Sequence, residues 1–476
     1  MRPMRINSKE RQVRKRGLAT RISVFIAVMA LIAAACGDDE PAATTAAATT
    51  AAATAAPAPT LAPVSAPDIP TSSVNMAIYP CCADQSHYQI ALVKGWFEEV
   101  GLSVDGGGFH LYTQFDQIVP SMQRGDFDVA GIFVQGYLQT LDTFGQDIPP
   151  IFFTDTYVGY AILKSPDSTA KTVMDFVDEG MSFGDAAAAA VQQLEGKEVY
   201  TPPHGQVQPP YPDVFLSYGG MTYPDSLDIQ FLEDVKIIEL AAQEGRVEFA
   251  IPYAAPVVVQ MIRNGWEPVI NTVQTLEDVG SPQAERMTKL VGSSGLMAQR
   301  SWVEEDPDRA LRLLSVMFRT LAFLDDPATQ DEGYVIQADL MNAERGLELI
   351  PDDVGVIWDN IDPMWTYEDQ GPNLWDDPGA GNHVETALTT QIGALIENGT
   401  LTGPIENYDI DRFLVAKDLF NQLRDLQGEA DALMAQASSA GELAPGADAV
   451  IAAAQNHYDN YNFLDAVRFL EAALGS

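Results

Sequence analysis

The chain is poor in the residues and motifs on which many enzyme active sites are built. Its 476 residues include three cysteines and five histidines, and the histidines are scattered without metal-ligand spacing. It contains no phosphate-binding loop, no G-x-S-x-G nucleophile motif and no H-E-x-x-H zinc motif. These absences argue against a nucleotide hydrolase, an α/β-hydrolase and a zinc protease, and the sequence predicts neither a metal nor a cofactor.

Positive charge is also scarce. The first 36 residues contain 8 of the 27 basic residues and one of the 67 acidic residues. The rest of the chain, residues 37–476, therefore has 19 basic and 66 acidic residues and a net charge of −47. Such a surface makes nucleic acid an improbable partner. It is typical of a protein that works in salty water, where screening weakens self-repulsion.

The first 36 residues have the pattern of an export signal, with a basic start and the apolar run "ISVFIAVMALIAAAC". This run is too short for a permanent membrane span. The stretch "LIAAAC" before "GDDE" resembles a bacterial lipobox, which implies acylation of Cys36; the alternative is an ordinary signal peptide cut nearby. Residues 37–72, almost wholly Ala, Thr and Pro, predict a disordered tether. The folded part is therefore expected at the outer face of the cell membrane or in the periplasm.

Two segments 120 positions apart match each other: "QRGDFDVAGIFVQGYLQ" and "QEGRVEFAIPYAAPVVVQ". In each, a helix is expected to end at glycine, and an apolar strand then runs to an aromatic residue, Phe133 or Tyr253. Strands and helices alternate over the surrounding residues as well. The pattern predicts two similar α/β domains with open, mostly parallel sheets.

Four further stretches resemble the solute-binding proteins of the nitrate, sulfonate, taurine and thiamine-pyrimidine group: "HYQIALVKGWFEEVGLSV", "SMQRGDFDVAGI", "LEGKEVYTPPHG" and "LAAQEGRVEFAIPYAAP". The resemblance implies a two-lobed periplasmic-binding-protein-like α/β fold with mostly parallel sheets and two hinge-crossing strands, near "GYAILKS" and "KLVGSSGLMA". A helical C-terminal extension follows. The expected divisions are 1–36 signal peptide, 37–72 tether, 73–160 first part of domain I, 161–290 domain II, 291–330 return to domain I, and 331–476 a helical region packing on domain I.

The resemblance implies a binding protein, which needs no catalytic groups, and we therefore expect no enzyme. The resemblance implies that it captures a small organic ligand in an interdomain cleft and delivers the ligand to the permease of an ATP-binding-cassette (ABC) importer. The expected partners are therefore a small-molecule ligand, the permease and the membrane to which the lipid is attached. We expect a monomer and no nucleic acid.

The four loops expected at the cleft contain aromatic residues, Pro, Gln and His but no Arg or Lys. This composition favours a neutral or weakly cationic flat ligand, such as a pyrimidine or flavin, over sulfonate, taurine, nitrate or bicarbonate, although backbone N–H groups alone can hold an anion. For any one aromatic residue, core packing is an equal alternative. The predicted ligand-binding residues are Tyr79, Cys81, Cys82, His87, Phe133, Tyr137, Pro203, His204, Gly205, Tyr211 and Tyr253.

Cys81 and Cys82 stand side by side after the first strand of the folded part. Thiols outside the cytoplasm tend to oxidise, and with Cys36 acylated these two have only each other. A Cys81–Cys82 disulfide and two unpaired buried cysteines are equal alternatives. A metal or redox site is disfavoured because no third ligand is evident.

The competing function is an enzyme on the same scaffold, resembling the pyridoxal-phosphate-dependent synthase of the thiamine pyrimidine. That enzyme would need a lysine in the cleft to form a Schiff base. Lys94 is the only lysine expected nearby, and the export signal argues against a biosynthetic role in the cytoplasm.

Overall fold

The computed structural model describes residues 62–112, 117–201, 211–232, 244–252, 254–441 and 443–475. Its strands are β1 Ser72–Val74, β2 Met76–Ile78, β3 Leu102–Val104, β4 His110–Leu111, β5 Val129–Phe133, β6 Pro150–Tyr157, β7 Ala161–Lys164, β8 Glu198–Thr201, β9 Asp228–Phe231, β10 Phe249–Ala250, β11 Glu267–Asn271 and β12 Gly292–Ala298. The helices of the first 300 residues are α1 Ala83–Ser86, α2 Tyr88–Lys94, α3 Trp96–Glu99, α4 Ile118–Gln123, α5 Val134–Leu138, α6 Leu141–Phe144, α7 Val173–Asp178, α8 Phe183–Gln192, α9 Tyr211–Ser217, α10 Ala255–Arg263, α11 Thr272–Glu277 and α12 Pro282–Leu290.

The remaining helices belong to the C-terminal half of the chain. They are α13 Arg300–Glu305, α14 Pro307–Asp325, α15 Gln330–Arg345, α16 Pro351–Asn360, α17 Tyr367–Gln370, α18 Val384–Glu397, α19 Val415–Ser439, α20 Ala447–Asp459 and α21 Phe463–Leu474. The predicted signal peptide, Cys36 and the first part of the tether lie outside the described residues. Most of the helix expected in "VKIIELAAQEG" does so too.

Two five-stranded sheets form the two lobes, with strand orders β4-β2-β5-β12-β6 and β11-β7-β10-β8-β9. In the first sheet β12 runs antiparallel to both of its neighbours, and in the second sheet β7 does so. The remaining described strands of each sheet run in one direction. The prediction of a two-lobed α/β fold with mostly parallel sheets is therefore confirmed.

The two sheets have the same layout. Strand β5 lies between the parallel β2 and the reversed β12, and β10 lies in the same way between β8 and the reversed β7. These are the strands of the two matching segments, so the internal similarity in the sequence corresponds to equivalent strands. Phe133 ends β5. Its expected counterpart Tyr253 lies outside the described residues.

The chain passes from the first sheet to the second at residues 158–160, just before β7, and returns at Val291, just before β12. Glycine stands at each crossing because a side chain would collide with a neighbour. A β-carbon on Gly159 would strike Ile361, and one on Gly292 would lie 2.5 Å from the Phe133 ring. The two hinge-crossing strands are thus where the sequence predicts them. The division into domains stays a prediction.

Local sequence explains where several helices begin and end. The expected helix of "SHYQIALVKGWFEEVG" is divided at Gly95, whose φ of 71° ends α2 in the left-handed conformation. Helix α14 starts after Asp306, which accepts a hydrogen bond from the Arg309 N–H, and has proline at its first position. Its apolar face includes Leu314 and Phe318, both buried.

The C-terminal region is helical, as predicted, and it ends in the predicted hairpin of α20 and α21. The Arg312 guanidinium on α14 donates two hydrogen bonds of 3.0 and 3.1 Å to the buried Asp465 carboxylate on α21, which fastens the hairpin to the rest of the fold.

This region packs on both lobes and not on domain I alone. Helix α14 contacts the first lobe at α2, while α16 contacts α10 and α18 contacts α12, helices that follow strands of the second sheet. Arg263 on α10 forms an ion pair with Asp353 on α16. Helices α14 and α15 lie against α2 of the first lobe, in keeping with the expected packing on domain I, and the contacts with α10 and α12 of the second lobe are additional to it.

The last residues of the predicted tether are part of the fold. Val64 and Ile69 pack against the C-terminal hairpin, and the Val64 N–H donates to the Pro445 carbonyl at 2.9 Å. Ser72 already belongs to β1, which pairs with β3. The tether therefore ends before residue 72, because apolar residues appear in it from Val64 onward.

Candidate functional site

The first loop of the first lobe joins β2 to the short helix α1 and contains the adjacent cysteines. Cys81 and Cys82 form a disulfide, with their α-carbons 3.8 Å apart. The Cys82 carbonyl accepts hydrogen bonds from the N–H groups of Gln85 and Ser86, so the disulfide leads directly into α1. Of the two alternatives left open by the sequence, the structure has the disulfide.

Three carboxyl groups from distant parts of the chain are buried near this loop. Asp84 lies on α1 and is 7% exposed, Asp155 lies near the end of β6 and is fully buried, and Asp362 follows α16 and is 1% exposed. Asp155 stands opposite Ser294 of β12. The Ser294 side chain approaches both Asp84 and Asp155.

The chain around Asp362 runs along the free side of β6. The Val158 N–H donates to the Ile361 carbonyl and the Trp365 N–H donates to the Thr154 carbonyl, each at 2.8 Å. Asp155 itself forms a bridge with Met364. Backbone pairing with the C-terminal region thus places Asp362 next to Asp155.

Burial raises the pKa of all three carboxyls. For Asp155 the second cause is the charge of Asp84, and for Asp362 it is the charges of Asp155 and Asp84. Hydrogen bonding opposes the rise: Ser294 and Gln85 favour the charged form of Asp84, and Ser294 also favours that of Asp155. No basic side chain is among the causes of these shifts, so the described part of the chain supplies no counter-charge.

Several polar atoms around these carboxyls are buried without a hydrogen-bond partner among the described residues. They are both carboxylate oxygens of Asp155, Oδ1 of Asp362, Oε1 of Gln85 and both ring nitrogens of His87. The Gln85 amide donates to Asp84 Oδ2 at 3.2 Å, which directs its side chain toward the carboxyls. Buried polar groups are normally paired, so unpaired ones in one region indicate a place for a missing partner.

His87 is fully buried between α1 and α2, with its ring 3.9 Å from the Tyr88 ring and 5.8 Å from the Trp358 ring. Burial lowers its pKa to about 3, although the neighbouring Ala83 and Asp84 carbonyls act in the opposite direction. The imidazole is therefore neutral at physiological pH and cannot serve as the counter-charge of the carboxyls.

Aromatic side chains meet where the chain crosses between the sheets. Tyr157 packs edge-on against Tyr160 with ring centroids 4.5 Å apart, and Tyr160 stacks on Tyr211 of α9 at 3.9 Å with an angle of 15°. Phe133 contacts Tyr157 edge-on at 6.4 Å. We call these four residues the aromatic cluster. It joins the end of β6, the crossing segment and the second lobe.

The aromatic cluster adjoins the carboxyls. Burial raises the pKa of Tyr157 well above its usual value, and Tyr160, Tyr211, Asp362 and Asp84 add to the shift. The charge of Asp362 also raises the pKa of Tyr160, after burial. Both effects fall off with distance, so the tyrosine hydroxyls and the carboxyls belong to one site.

The structure brings some predicted site residues together and separates others. Phe133 and Tyr211 belong to the aromatic cluster, and Cys81, Cys82 and His87 lie in the loop and helix that contain Asp84. Outside the described residues lie the predicted Pro203, His204, Gly205 and Tyr253.

Tyr79 and Tyr137 have other surroundings. The Arg345 guanidinium of α15 lies over the Tyr79 ring, 5.2 Å from its centroid. Tyr137 is fully buried, donates a hydrogen bond of 2.9 Å to the Gly145 carbonyl and packs against Phe413. These are the contacts of a core tyrosine.

Sequence reasoning did not identify five residues of this site: Asp84, Asp155, Tyr157, Tyr160 and Asp362. A signal for two of them was present in "PIFFTDTY", where an aspartate stands in an otherwise uncharged strand. A charged residue at a buried strand position requires a partner or a function.

Two searches of the described residues complete the description. No helix there is long and apolar enough to cross a membrane. No group of three or more His, Cys, Asp and Glu side chains there has an arrangement that could hold a metal ion.

With two similar sheets, two crossings and a mixed strand order, the fold is periplasmic-binding-protein-like. No protein-family model and no curated protein matches the chain. Solved structures of similar fold include the aliphatic sulphonate binding protein SsuA from Escherichia coli, 13% identical, covering 73% of this chain and 99% of that one with a TM-score of 0.47.

Two other solved structures are the nitrate-binding protein NrtA from Synechocystis PCC 6803 and the desulfurization enzyme DSZB. NrtA is 14% identical, with coverage of 74% of this chain and 90% of that one and a TM-score of 0.49. DSZB is 12% identical, with coverage of 75% and 99% and a TM-score of 0.44. At such identities the similarity is one of fold.

Proposed function

We propose that this protein is an extracytoplasmic solute-binding protein that holds a small, flat organic ligand between its two lobes and delivers it to an ABC importer. The observation that carries the proposal is the aromatic cluster, in which Tyr160 of the crossing segment stacks on Tyr211 of the second lobe at 3.9 Å. A flat ligand inserted beside this pair would contact both lobes at once. Ligands of two-lobed α/β proteins bind in such interdomain positions.

A ligand in this position favours the closed arrangement only if it binds that arrangement more tightly than the open one. The proposed site would bind the closed arrangement more tightly because its groups come from different lobes. Asp84 and Asp155 belong to the first lobe and Tyr211 to the second. Separation of the lobes would remove one set of contacts, so the closed form has the higher affinity.

The proposed anchor is a lipid on Cys36, with the tether holding the folded part away from the membrane. Membrane attachment by acylation would need no membrane-spanning helix. The test is to express the full chain and its Cys36→Ser variant with a lipoprotein-processing host. The two proteins are then partitioned between a detergent phase and an aqueous phase. We expect the wild type in the detergent phase and the variant in the aqueous phase, and equal partition of the two proteins would contradict the lipid anchor.

The binding function is tested by thermal unfolding of the mature protein with pyrimidines, flavins, taurine, alkylsulfonates, nitrate and bicarbonate. A ligand that binds only the folded state raises the melting temperature as its concentration rises above its dissociation constant. The ligand must also be recovered chemically unchanged by mass spectrometry. Conversion of the ligand would instead support an enzyme.

The enzyme alternative has a separate test because it requires a lysine that can form a Schiff base. Lys94 is engaged elsewhere: its ammonium group lies 2.6 Å from a Glu332 carboxylate oxygen and over the Phe323 ring. We expect the wild-type protein to show no Schiff-base absorbance when pyridoxal phosphate is added. An absorbance present in the wild type and absent from Lys94→Met would identify Lys94 as the reacting lysine. Such an absorbance would replace the binding function by the enzyme.

A further inference from the structure

The buried carboxyls of Asp84, Asp155 and Asp362 lie together without a described counter-charge. They are at most 7% exposed, and each of the last two feels the charge of Asp84. Ionised carboxylates are rarely buried unless a cation or several donors compensate them. Three carboxyls buried in one place can therefore ionise together only when a partner supplies positive charge.

The unpartnered atoms specify which chemistry is missing. Apart from the neutral His87, they are oxygens: both of Asp155, Oδ1 of Asp362 and Oε1 of Gln85. All four are hydrogen-bond acceptors whenever the carboxyls are ionised. The complementary partner therefore presents several N–H donors and a positive charge.

The aromatic cluster points to the same chemistry independently. The faces of tyrosine rings carry negative potential and attract cations, more strongly where water is excluded. Tyr157, Tyr160 and Tyr211 are each at most 8% exposed, so water is largely excluded here. A ligand with a flat or alkyl part and a cationic end would satisfy the rings and the carboxyls together.

A bare metal ion fits this site less well than an organic cation does. The carboxyls do not form one of the compact groups that could hold a metal ion within the described residues. They are instead spread over α1, β6 and the end of α16. Several separate acceptors suit a ligand whose N–H groups point in different directions.

We propose that the ligand of this site is a small organic cation with several N–H donors, of the amidinium or protonated-amine class, whose charge is compensated by Asp84, Asp155 and Asp362. This inference rests on the proposed binding function and narrows it to one class of solute. It excludes alkylsulfonates, nitrate and bicarbonate as ligands of this site, because each is an anion and would bring negative charge to buried carboxyls. It also disfavours taurine, a zwitterion whose sulfonate would lie in the same buried site as its ammonium group.

The test uses probes that differ in charge and little in shape. Benzamidine, benzamide and benzoate form one such series, and the corresponding pyrimidine and short alkyl compounds form two more. Thermal unfolding of the wild-type mature protein is measured with each compound over a range of concentrations. We expect the cation of at least one series to stabilise the protein at concentrations at least tenfold below those required for its neutral and anionic counterparts.

The outcomes separate the two proposals. Stabilisation by neutral or anionic members at equal or lower concentration overturns the cation inference and leaves the binding function standing. Stabilisation by no member of any series also overturns the cation inference, while the binding function is decided separately by the wider set of ligands.

Variants then connect the effect to the carboxyls. Asp155→Asn and Asp362→Asn each remove one charge and preserve shape, and calorimetry should give at least a tenfold weaker affinity for the stabilising cation. The matched control is Asp178→Asn, an exposed aspartate at the end of α7, with unchanged affinity expected. Two variants are used so that one remains informative if the other does not fold. Unchanged affinity in the folded variants overturns the inference.

Discussion

Asp155→Asn should stabilise the ligand-free protein, although most substitutions of buried residues destabilise. The Asp155 side chain is fully buried, and neither carboxylate oxygen has a well-formed hydrogen bond among the described residues, although Ser294 approaches it and favours its charged form. Burial, and then the charge of Asp84, raises its pKa. Asparagine has nearly the same shape and no charge, so the variant removes the unfavourable charge without creating a cavity.

The size of the effect follows from two opposing costs. A buried ion without compensation costs several kcal/mol after relaxation of its surroundings. The asparagine amide is itself left incompletely hydrogen-bonded, which costs about 1–3 kcal/mol. We expect a net stabilisation of about 2 kcal/mol at pH 8. With an unfolding entropy of about 2 cal/mol/K per residue and roughly 400 folded residues, this raises Tm by about 2–3 °C.

The effect should depend on pH with a definite sign. Because the pKa of Asp155 is higher in the folded than in the unfolded protein, the folded protein binds more protons between the two values. Stability of the wild type therefore falls as pH rises through this range above about 4. Asp155→Asn does not lose stability in this way. The difference in free energy of unfolding between the variant and the wild type is therefore small at pH 4 and grows toward pH 8. The titratable groups that interact with Asp155 among the described residues are Asp84, Tyr88 and Asp362.

Urea unfolding and calorimetry at pH 4, 6 and 8 provide the measurement, with Asp178→Asn as the exposed control. Asp362→Asn should behave in the same way. In the double variant Asp155→Asn, Asp362→Asn, the increase in the free energy of unfolding should be smaller than the sum of the two single increases. The reason is that removing one charge already lowers the pKa of the other carboxyl. A loss of stability in Asp155→Asn that is equal at all three pH values would refute the reasoning.

Three further predictions concern the rest of the fold. Arg312→Leu leaves the buried Asp465 carboxylate without its main partner and should lower the free energy of unfolding by about 3–5 kcal/mol in urea titrations. Gly159→Val forces a side chain against Ile361 and should cost about 1–3 kcal/mol by the same measurement, whereas an unchanged value would place the crossing elsewhere. Tyr211→Ala removes the stacked ring and should weaken calorimetric ligand affinity about tenfold, with a retained circular dichroism spectrum.

The fold was largely predictable because its evidence is local and repeated. Glycines at helix ends and apolar strands of four to eight residues recur along the chain, and the matching segments lie on equivalent strands, β5 and β10. The helical character of the C-terminal region was predictable for the same reason. Its packing on both lobes was not, because the Arg263–Asp353 contact joins residues whose partners no local pattern specifies.

The site was predictable only in part. Phe133 and Tyr211 stand at the end of a strand and at the start of a helix, positions that the architecture assigns to the cleft. Asp84, Asp155 and Asp362 are separated by 71 and 207 residues, and each looks like one of many surface acids in a chain with 67. Only the folded chain reveals that these three are buried and share one region.

In the proposed site, the C-terminal region supplies a carboxyl as well as structural cover. Its segment 361–365 pairs with β6 and supplies Asp362, while Arg263 of α10 connects the second lobe to α16 immediately before it. Any motion of the second lobe away from the first must either carry α16 along or break this ion pair. Because segment 361–365 pairs with β6, Asp362 keeps its place beside Asp155 in the first lobe in either case. A ligand cation that contacts these carboxyls of the first lobe and Tyr211 of the second would favour the arrangement in which it reaches both, which is the differential affinity that the proposed binding function requires.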